Sequence, residues 1–233
     1  MCGRFVQKAK PAEISERFKV ALPPQASWSP RYNLAPTQPA AVIIDNGGGR
    51  RRLDFFSWGL VPAWAPDCSR AATMINARIE TLWEKKSFHD CVRYRRCLVP
   101  ANGFYEWRAD GQARKTPYYF SWPDQPLFAW AGLWAVWNDR QGGECYTFTL
   151  ITCPANESVR PYHHRMPVAV PPETESRWLD HRLYRSAELQ PVLAQGATIA
   201  WQAYAVSPRV GQVKWDDPAC IEPAPTQAQF DWS

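Results

Sequence analysis

Apolar and polar positions alternate along this chain in short runs, most of them closed by glycine, proline or an Asn/Asp cluster. Few runs carry helical spacing. The apolar run at 40–44 and the segment 53–58 flank Asp45-Asn46-Gly47-Gly48-Gly49, the longest breaker cluster, and so predict a hairpin. Further strands are expected at 96–99, 104–107, 118–122, 128–134, 146–152, 168–170 and 200–206. Helices are expected at 11–20, where Ile14 and Phe18 share a face behind Pro11, from Ser87 to about Tyr94, at 172–179 and at 187–194. Many short strands with few helices predict an α+β fold. It would be a single domain on a curled, largely antiparallel sheet with a barrel-like core and a few flanking helices. No repeat or interdomain linker is visible. The domain is read as 1–222, and 223–233, with its Pro, Gln and Ala, as a flexible C-terminal tail.

Composition narrows the class. The 233 residues are 45% hydrophobic and 21% charged, which describes a folded chain with a substantial core. No apolar run approaches the roughly 18 residues of a membrane-spanning helix, and no signal-peptide core follows Met1. A cytoplasmic location is therefore expected, nucleoid-associated in a bacterium and nuclear in a eukaryote. The net charge of +5 is mild, but Arg50-Arg51-Arg52 and the group Arg93, Arg95 and Arg96 are concentrated, and there are 13 tryptophans. Arginines among exposed rings hold single-stranded nucleic acid; a tryptophan-rich core with a solvated basic face fits the same counts. Seven cysteines without a CxxC or zinc-finger spacing argue against disulfide and metal frameworks. Cys97, Cys145 and Cys153 lie in apolar or strand-like runs and read as small buried residues.

Four segments hold polar residues that a core does not call for. The first is Met1-Cys2-Gly3-Arg4-Phe5. Removal of Met1 would give Cys2 a thiol and a free α-amine on adjacent carbons, with reference pKa values near 8.5 and 8. Such an aminothiol condenses with an aldehyde, the amine forming a Schiff base and the thiol closing a five-membered ring. In the second, Asn76-Ala77-Arg78, the i, i+2 spacing on an extended segment points both polar side chains to one face. The third places Glu106 between Tyr105 and Trp107 beside Gly103; a carboxyl against apolar rings has its pKa raised toward general-acid use. The fourth is His163-His164-Arg165-Met166-Pro167, a proton carrier of which only one histidine can face a given point.

Together these stretches resemble the SRAP family (SOS response-associated peptidase), which shields abasic sites in single-stranded DNA. The matching motifs also include Arg31-Tyr32-Asn33-Leu34-Ala35-Pro36-Thr37, Trp58-Gly59-Leu60-Val61-Pro62, Arg96-Cys97-Leu98-Val99-Pro100 and Ala131-Gly132-Leu133-Trp134, all in the family's order. The resemblance implies that Cys2, once N-terminal, forms a thiazolidine with the ring-opened sugar of an abasic site. It further implies that Asn76 orients the reacting groups and that Glu106 assists ring opening and reversal of the adduct. His163, two places before the arginine of its motif, would shuttle protons. Arg4 and Arg78 match arginines that hold phosphates; Asn33 and Arg165 lie in matching motifs, and Trp64 is a candidate for base stacking. His164 and Asn102 depart from the family's usual residues there, and the stretch 206–220 matches more loosely. The implied partner is single-stranded DNA carrying abasic sites, bound by a monomer without cofactor, metal or membrane. Two other readings stay open: a cysteine peptidase with a Cys2 thiolate and His163 as base, and a non-catalytic single-strand-binding module.

Overall fold

The structure is a computed structural model, and it describes residues 2–22, 28–45, 48–69, 71–109, 111, 115–138 and 141–225. Its first half runs β1 (Phe5–Gln7), α1 (Pro11–Phe18), β2 (Arg31–Leu34), β3 (Pro39–Asp45), β4 (Arg51–Trp58), β5 (Asn76–Arg78), α2 (Lys86–Tyr94) and β6 (Arg96–Ala101). There follow β7 (Gly103–Arg108), β8 (Thr116–Ser121), β9 (Phe128–Asn138), β10 (Glu144–Pro154), β11 (Arg165–Pro167), β12 (Ala169–Val170), α3 (Glu175–Leu179), α4 (Ser186–Ala197) and β13 (Gln202–Ala205). No helix among the described residues is long and apolar enough to cross a membrane.

The predicted hairpin is β3–β4, paired from Pro39↔Ser57 to Asp45↔Arg51; Asn46 and Gly47 of its turn lie outside the described residues. This hairpin belongs to a ring of strands. β4 meets β10 in parallel, β3 meets β6, β6 meets β9, and β9 returns to β10, so the sheet closes into a barrel. Closure explains why β6, β9 and β10 are buried along most of their length, threonines of β10 included, since both of their faces are covered. Packing across β6 and β9 is close enough that a Cβ on Gly132 would sit 2.7 Å from Cys97 Sγ.

A second, fully antiparallel sheet has the order β13-β8-β7-β1-β2. Its strands alternate cleanly. Phe5, Phe104 and Phe120 turn toward the barrel core, where Phe104 stacks on Phe120 at 4.7 Å and meets Trp130 edge-on at 5.5 Å. Val6, Tyr105 and Tyr119 turn the other way, onto Val206, Val210 and Cys220 of the C-terminal segment. Truncating Phe104 to alanine would cost about 3–5 kcal/mol by leaving a cavity between the two sheets.

Several expectations are revised by packing. β1, β2 and β5 are three- and four-residue strands with no alternating run of their own. α1 ends at Phe18, short of residue 20, because Lys19 takes a left-handed cap at φ 52. The expected strand at 168–170 is reduced to β12, with β11 a separate strand just before it, and residues 172–174 form a 3-10 turn ahead of α3. The segment expected to be a tail from 223 is still paired at its start: Ala224 N–H donates to Ala205 O at 2.8 Å, while 226–233 lie outside the described residues.

The tryptophans are mostly core. Trp58, Trp130 and Trp178 are fully buried, and Trp64 alone among the described tryptophans is exposed. One arginine of each basic run turns inward, while Arg50 and Arg52 are exposed. Arg96, 4% exposed, donates to the carbonyls of Trp178, Val92, Arg93 and Asp180, tying α2 to α3. Arg51 pairs with the buried Glu175 at 3.0 Å and donates to Phe18 O. These two arginines are structural clamps and not a nucleic-acid face.

Candidate active site

The register of β1 against β7 puts Phe5 opposite Phe104 and Val6 opposite Gly103. Followed back toward the chain start, it sets Arg4 opposite Tyr105, whose N–H donates to Arg4 O at 3.1 Å, and Gly3 opposite Glu106. The first residues are thereby laid beside the acid. Cys2 is fully buried and its Sγ–H points to Arg4 O at 3.6 Å. Burial, and then the charge of Glu106, pushes its thiol well above the ordinary cysteine range.

Asn76 reaches Cys2 from the other sheet. β5 runs parallel to β10, with Asn76 opposite Leu150, and Asn76 Nδ2 donates to Cys2 O at 2.8 Å. Its Oδ1 is buried with no hydrogen-bond partner, a costly arrangement in a finished fold.

Alternation along β7 sends Tyr105 to the C-terminal face and keeps Glu106 on the side of Phe104, toward the barrel. Glu106 is 4% exposed, and burial pushes its carboxyl up to about 7. His163 lies on the turn between β10 and β11, its Nδ1 3.8 Å from Glu106 Oε1, longer than a hydrogen bond. The same Nδ1 lies 3.0 Å from both the N–H and the carbonyl oxygen of Arg165, which hold the ring in place. Burial lowers the His163 pKa, so near neutral pH a half-protonated acid faces a neutral imidazole. Asn156 pins this turn by donating to Ala197 O and Ile199 O. His164 is exposed and stacks on His163 with ring centroids 4.3 Å apart.

Cys2, Asn76, Glu106 and His163 are thus drawn together from two sheets and a turn. The remaining expected residues divide. Arg78 is exposed on the Asn76 strand. Arg4 is half-buried and its guanidinium donates to Asn33 Oδ1 at 2.8 Å and to the carbonyls of Val210 and Gly211. Asn33 does not fit a DNA-contacting role: it is fully buried, and its Nδ2 donates to the carbonyls of Val210, Gln212 and Trp215. It staples the C-terminal segment in place. Arg165 is likewise internal, paired with Glu80 and donating to Thr152 O, so it braces the His163 turn. Asn102 accepts from the N–H groups of Lys8 and Ala9 and is structural. Trp64 stands 56% exposed at the rim of a cavity of about 300 Å³ lined by Leu60, Pro62 and Met74, with Lys86 Nζ 5.1 Å from its ring centroid.

Two supporting acids escaped the sequence reading. Glu80 holds Arg165, and Asp216 accepts from Arg31 and from the N–H groups of Tyr32 and Asn33. Isolated acids in unremarkable segments give no signal until their basic partners are placed. Arg108, Tyr118 and Tyr162 also cluster beside Glu106 and His163, with the Arg108 Cζ 4.7 Å and 5.4 Å from the two tyrosine ring centroids. Among the described residues, no group of three or more His, Cys, Asp or Glu side chains is gathered as a metal would need.

A family model described as SOS response associated peptidase (SRAP) matches residues 1–213. The abasic site processing protein YoqW of Bacillus subtilis (strain 168) is 39% identical over 223 residues, 95% of this chain and 99% of YoqW. The abasic site processing protein HMCES of Gallus gallus is 30% identical, covering 85% of this chain and 68% of HMCES. Among solved structures, a protein from Bacteroides thetaiotaomicron superposes with a TM-score of 0.83 at 28% identity, covering 96% of this chain and all of that one.

Proposed function

The chain belongs to the SOS response associated peptidase (SRAP) family, and from that premise we propose that it captures abasic sites in single-stranded DNA as a covalent thiazolidine on Cys2. The observation that carries this reading is a buried acid with a pKa of about 7 set directly beside the start of the chain. An abasic sugar is mostly a closed hemiacetal. Protonated Glu106 gives its proton to the ring oxygen as the bond from that oxygen to C1′ breaks, and the C1′ hydroxyl loses its proton to leave the aldehyde. The α-amine of Cys2, freed by loss of Met1, adds to C1′. Water then leaves with a proton from the acid, and the nitrogen gives its remaining proton back to the carboxylate, forming the imine. The Cys2 sulfur closes on the imine carbon, and its proton goes to the nitrogen. His163, its Nδ1 3.8 Å from Glu106 Oε1, carries protons between the acid and solvent. The unpartnered Asn76 Oδ1 is an acceptor suited to an N–H of that amine, while Asn76 Nδ2 already holds the Cys2 carbonyl. Reversal of the adduct would use the same proton path backwards. All four groups belong to one chain, so a monomer suffices.

The cysteine-peptidase alternative is less well supported. It needs a thiolate at neutral pH, and the Cys2 thiol is shifted the opposite way by burial. A neutral thiol suits the amine-first order, because it has to add only after the imine has formed. Incubating the protein with a single-stranded oligonucleotide bearing one abasic site, followed by a denaturing gel, tests the proposal. A shifted band is expected with the processed protein and none with Cys2→Ala or with Met1 retained. A band that survives both changes would rule out the Cys2 mechanism; peptide turnover without a band would favour the peptidase.

A further inference from the structure

Asn76 and His163 hang from opposite edges of β10. Thr152 of β10 is paired with Arg78 of β5 on one side and with Pro167 of β11 on the other. Asn76 begins β5, and His163 stands two residues before the start of β11. Each of these strands is only three residues long, so its own ladder gives it few anchors. A side-chain link crosses β10 and joins the two edges directly. Glu80, two residues past β5, meets the Arg165 guanidinium with both carboxylate oxygens, Oε2 accepting from Nη2 at 3.0 Å. The same guanidinium donates to Thr152 O at 2.7 Å and to Thr152 Oγ1 at 3.2 Å, on the strand between. Arg165 in turn holds His163 through its backbone N–H and carbonyl oxygen, each 3.0 Å from Nδ1.

Exposure divides this pair unequally. The Arg165 side chain is 9% exposed and that of Glu80 is 45% exposed. A carboxylate so open to water adds little to folding stability through its charge. A two-point fork nevertheless fixes direction and distance. Glu80 is thus poorly placed as a stability device and well placed as a spacer. The Arg165 hydrogen bond, before any other influence, holds the Glu80 carboxyl below the ordinary carboxylate range, so it stays ionised near neutral pH. At one end of the link Asn76 Nδ2 holds the Cys2 carbonyl; at the other, His163 Nδ1 stands 3.8 Å from Glu106 Oε1.

We propose that Glu80 is a positioning residue for the capture reaction: through Arg165 it sets how far the His163 turn stands from the Asn76 edge, and so how the proton carrier meets the acid. The inference rests on the reading that Cys2 captures an abasic aldehyde. A misplacement of about 1 Å costs about a hundredfold in rate, so a spacer that never touches the substrate governs the chemistry.

The test follows single-turnover adduct formation at saturating abasic-site oligonucleotide for the wild type, Glu80→Gln, His163→Gln and the double variant. Thermal melting is recorded alongside, with affinity for an oligonucleotide carrying a tetrahydrofuran analogue, which has no aldehyde and cannot crosslink. Glu80→Gln should slow adduct formation about tenfold without weakening affinity for the analogue. In the His163→Gln background the same change should slow the reaction less than about twofold, because no proton carrier is left to misplace. If Glu80→Gln melts early, Glu80→Asp, which keeps the charge but falls a methylene short of the fork, must show the same loss and the same dependence on His163. An undiminished rate, or a loss that simply multiplies with that of His163→Gln, overturns the spacer alone. A wild type that forms no Cys2-dependent adduct overturns the capture reading, and the spacer with it.

Discussion

Glu106 and Glu175 are equally hidden, at 4% and 2% exposure, yet they serve opposite ends. Glu175 sits between two guanidinium groups, Arg17 at 2.8 Å and Arg51 at 3.0 Å, and binds α3 to α1 and β4. Glu106 faces an imidazole at 3.8 Å, and burial drives its carboxyl up to about 7. Desolvation penalises both carboxylates. What differs is the balance struck at each: Glu175 sits in ion pairs with two guanidinium groups and ties elements together, whereas at Glu106 burial outweighs the positive charges nearby and leaves a proton donor near pH 7.

The largest effect expected along this contrast is on chemistry. Glu106→Gln should slow adduct formation roughly a hundredfold, as loss of a general acid does, without lowering the melting temperature. A drop in melting temperature with no change in rate would make Glu106 a tie like Glu175. The mirror experiment is Glu175→Gln, which should cost about 2 kcal/mol, read as a fall of about 4–8 °C in melting temperature, and leave the rate of adduct formation at saturating DNA unchanged. Two arginines that lose half of their partner account for that cost.

A pH series sharpens the same contrast. Between about 4.5 and about 7 folded Glu106 keeps a proton that the unfolded chain releases. Its contribution therefore lowers stability progressively as pH rises through that window and levels off above it. Glu106→Gln should remove that slope from melting temperature against pH; an identical slope in both proteins would contradict the raised pKa. The rate should show a falling limb near pH 7 from the same group, absent in the variant.

The smallest effect concerns rings instead of acids. Trp178 is fully buried, donates its indole N–H to Cys97 O and carries Arg96 over its face, whereas Trp64 is exposed under Lys86. Trp64→Ala should weaken single-strand binding by about 1 kcal/mol, close to fivefold, with no change in melting temperature. Unchanged binding would leave Trp64 as surface.

Much of the barrel was legible because its strands are long or their turns are loud. The β3–β4 hairpin, β6 to β10 and β13 each announce themselves by apolar content between breakers. β1, β2 and β5 do not, since three or four residues cannot display a period; they are strands because a neighbour offers them a ladder. The loosely matching stretch 206–220 proved equally contextual. It covers Tyr105 and Tyr119 and receives the hydrogen bonds of Arg4 and Asn33. Asn33 and Arg165 show the limit of motif reading most clearly, because a polar residue in a strong motif can be there to hold the fold.

Residue identity alone determined the α+β class, the main hairpin, the aminothiol latent in Cys2 and the four polar segments that the fold brings side by side. Those follow from local periodicity and from functional groups that a chain carries wherever it goes. Tertiary structure alone decided which arginines face inward, which histidine meets the acid, and that burial would raise the Glu106 carboxyl to about 7. Each of these depends on burial and on the charge of neighbours distant in sequence, and a pKa or a guanidinium's partner has no value until those neighbours are in place.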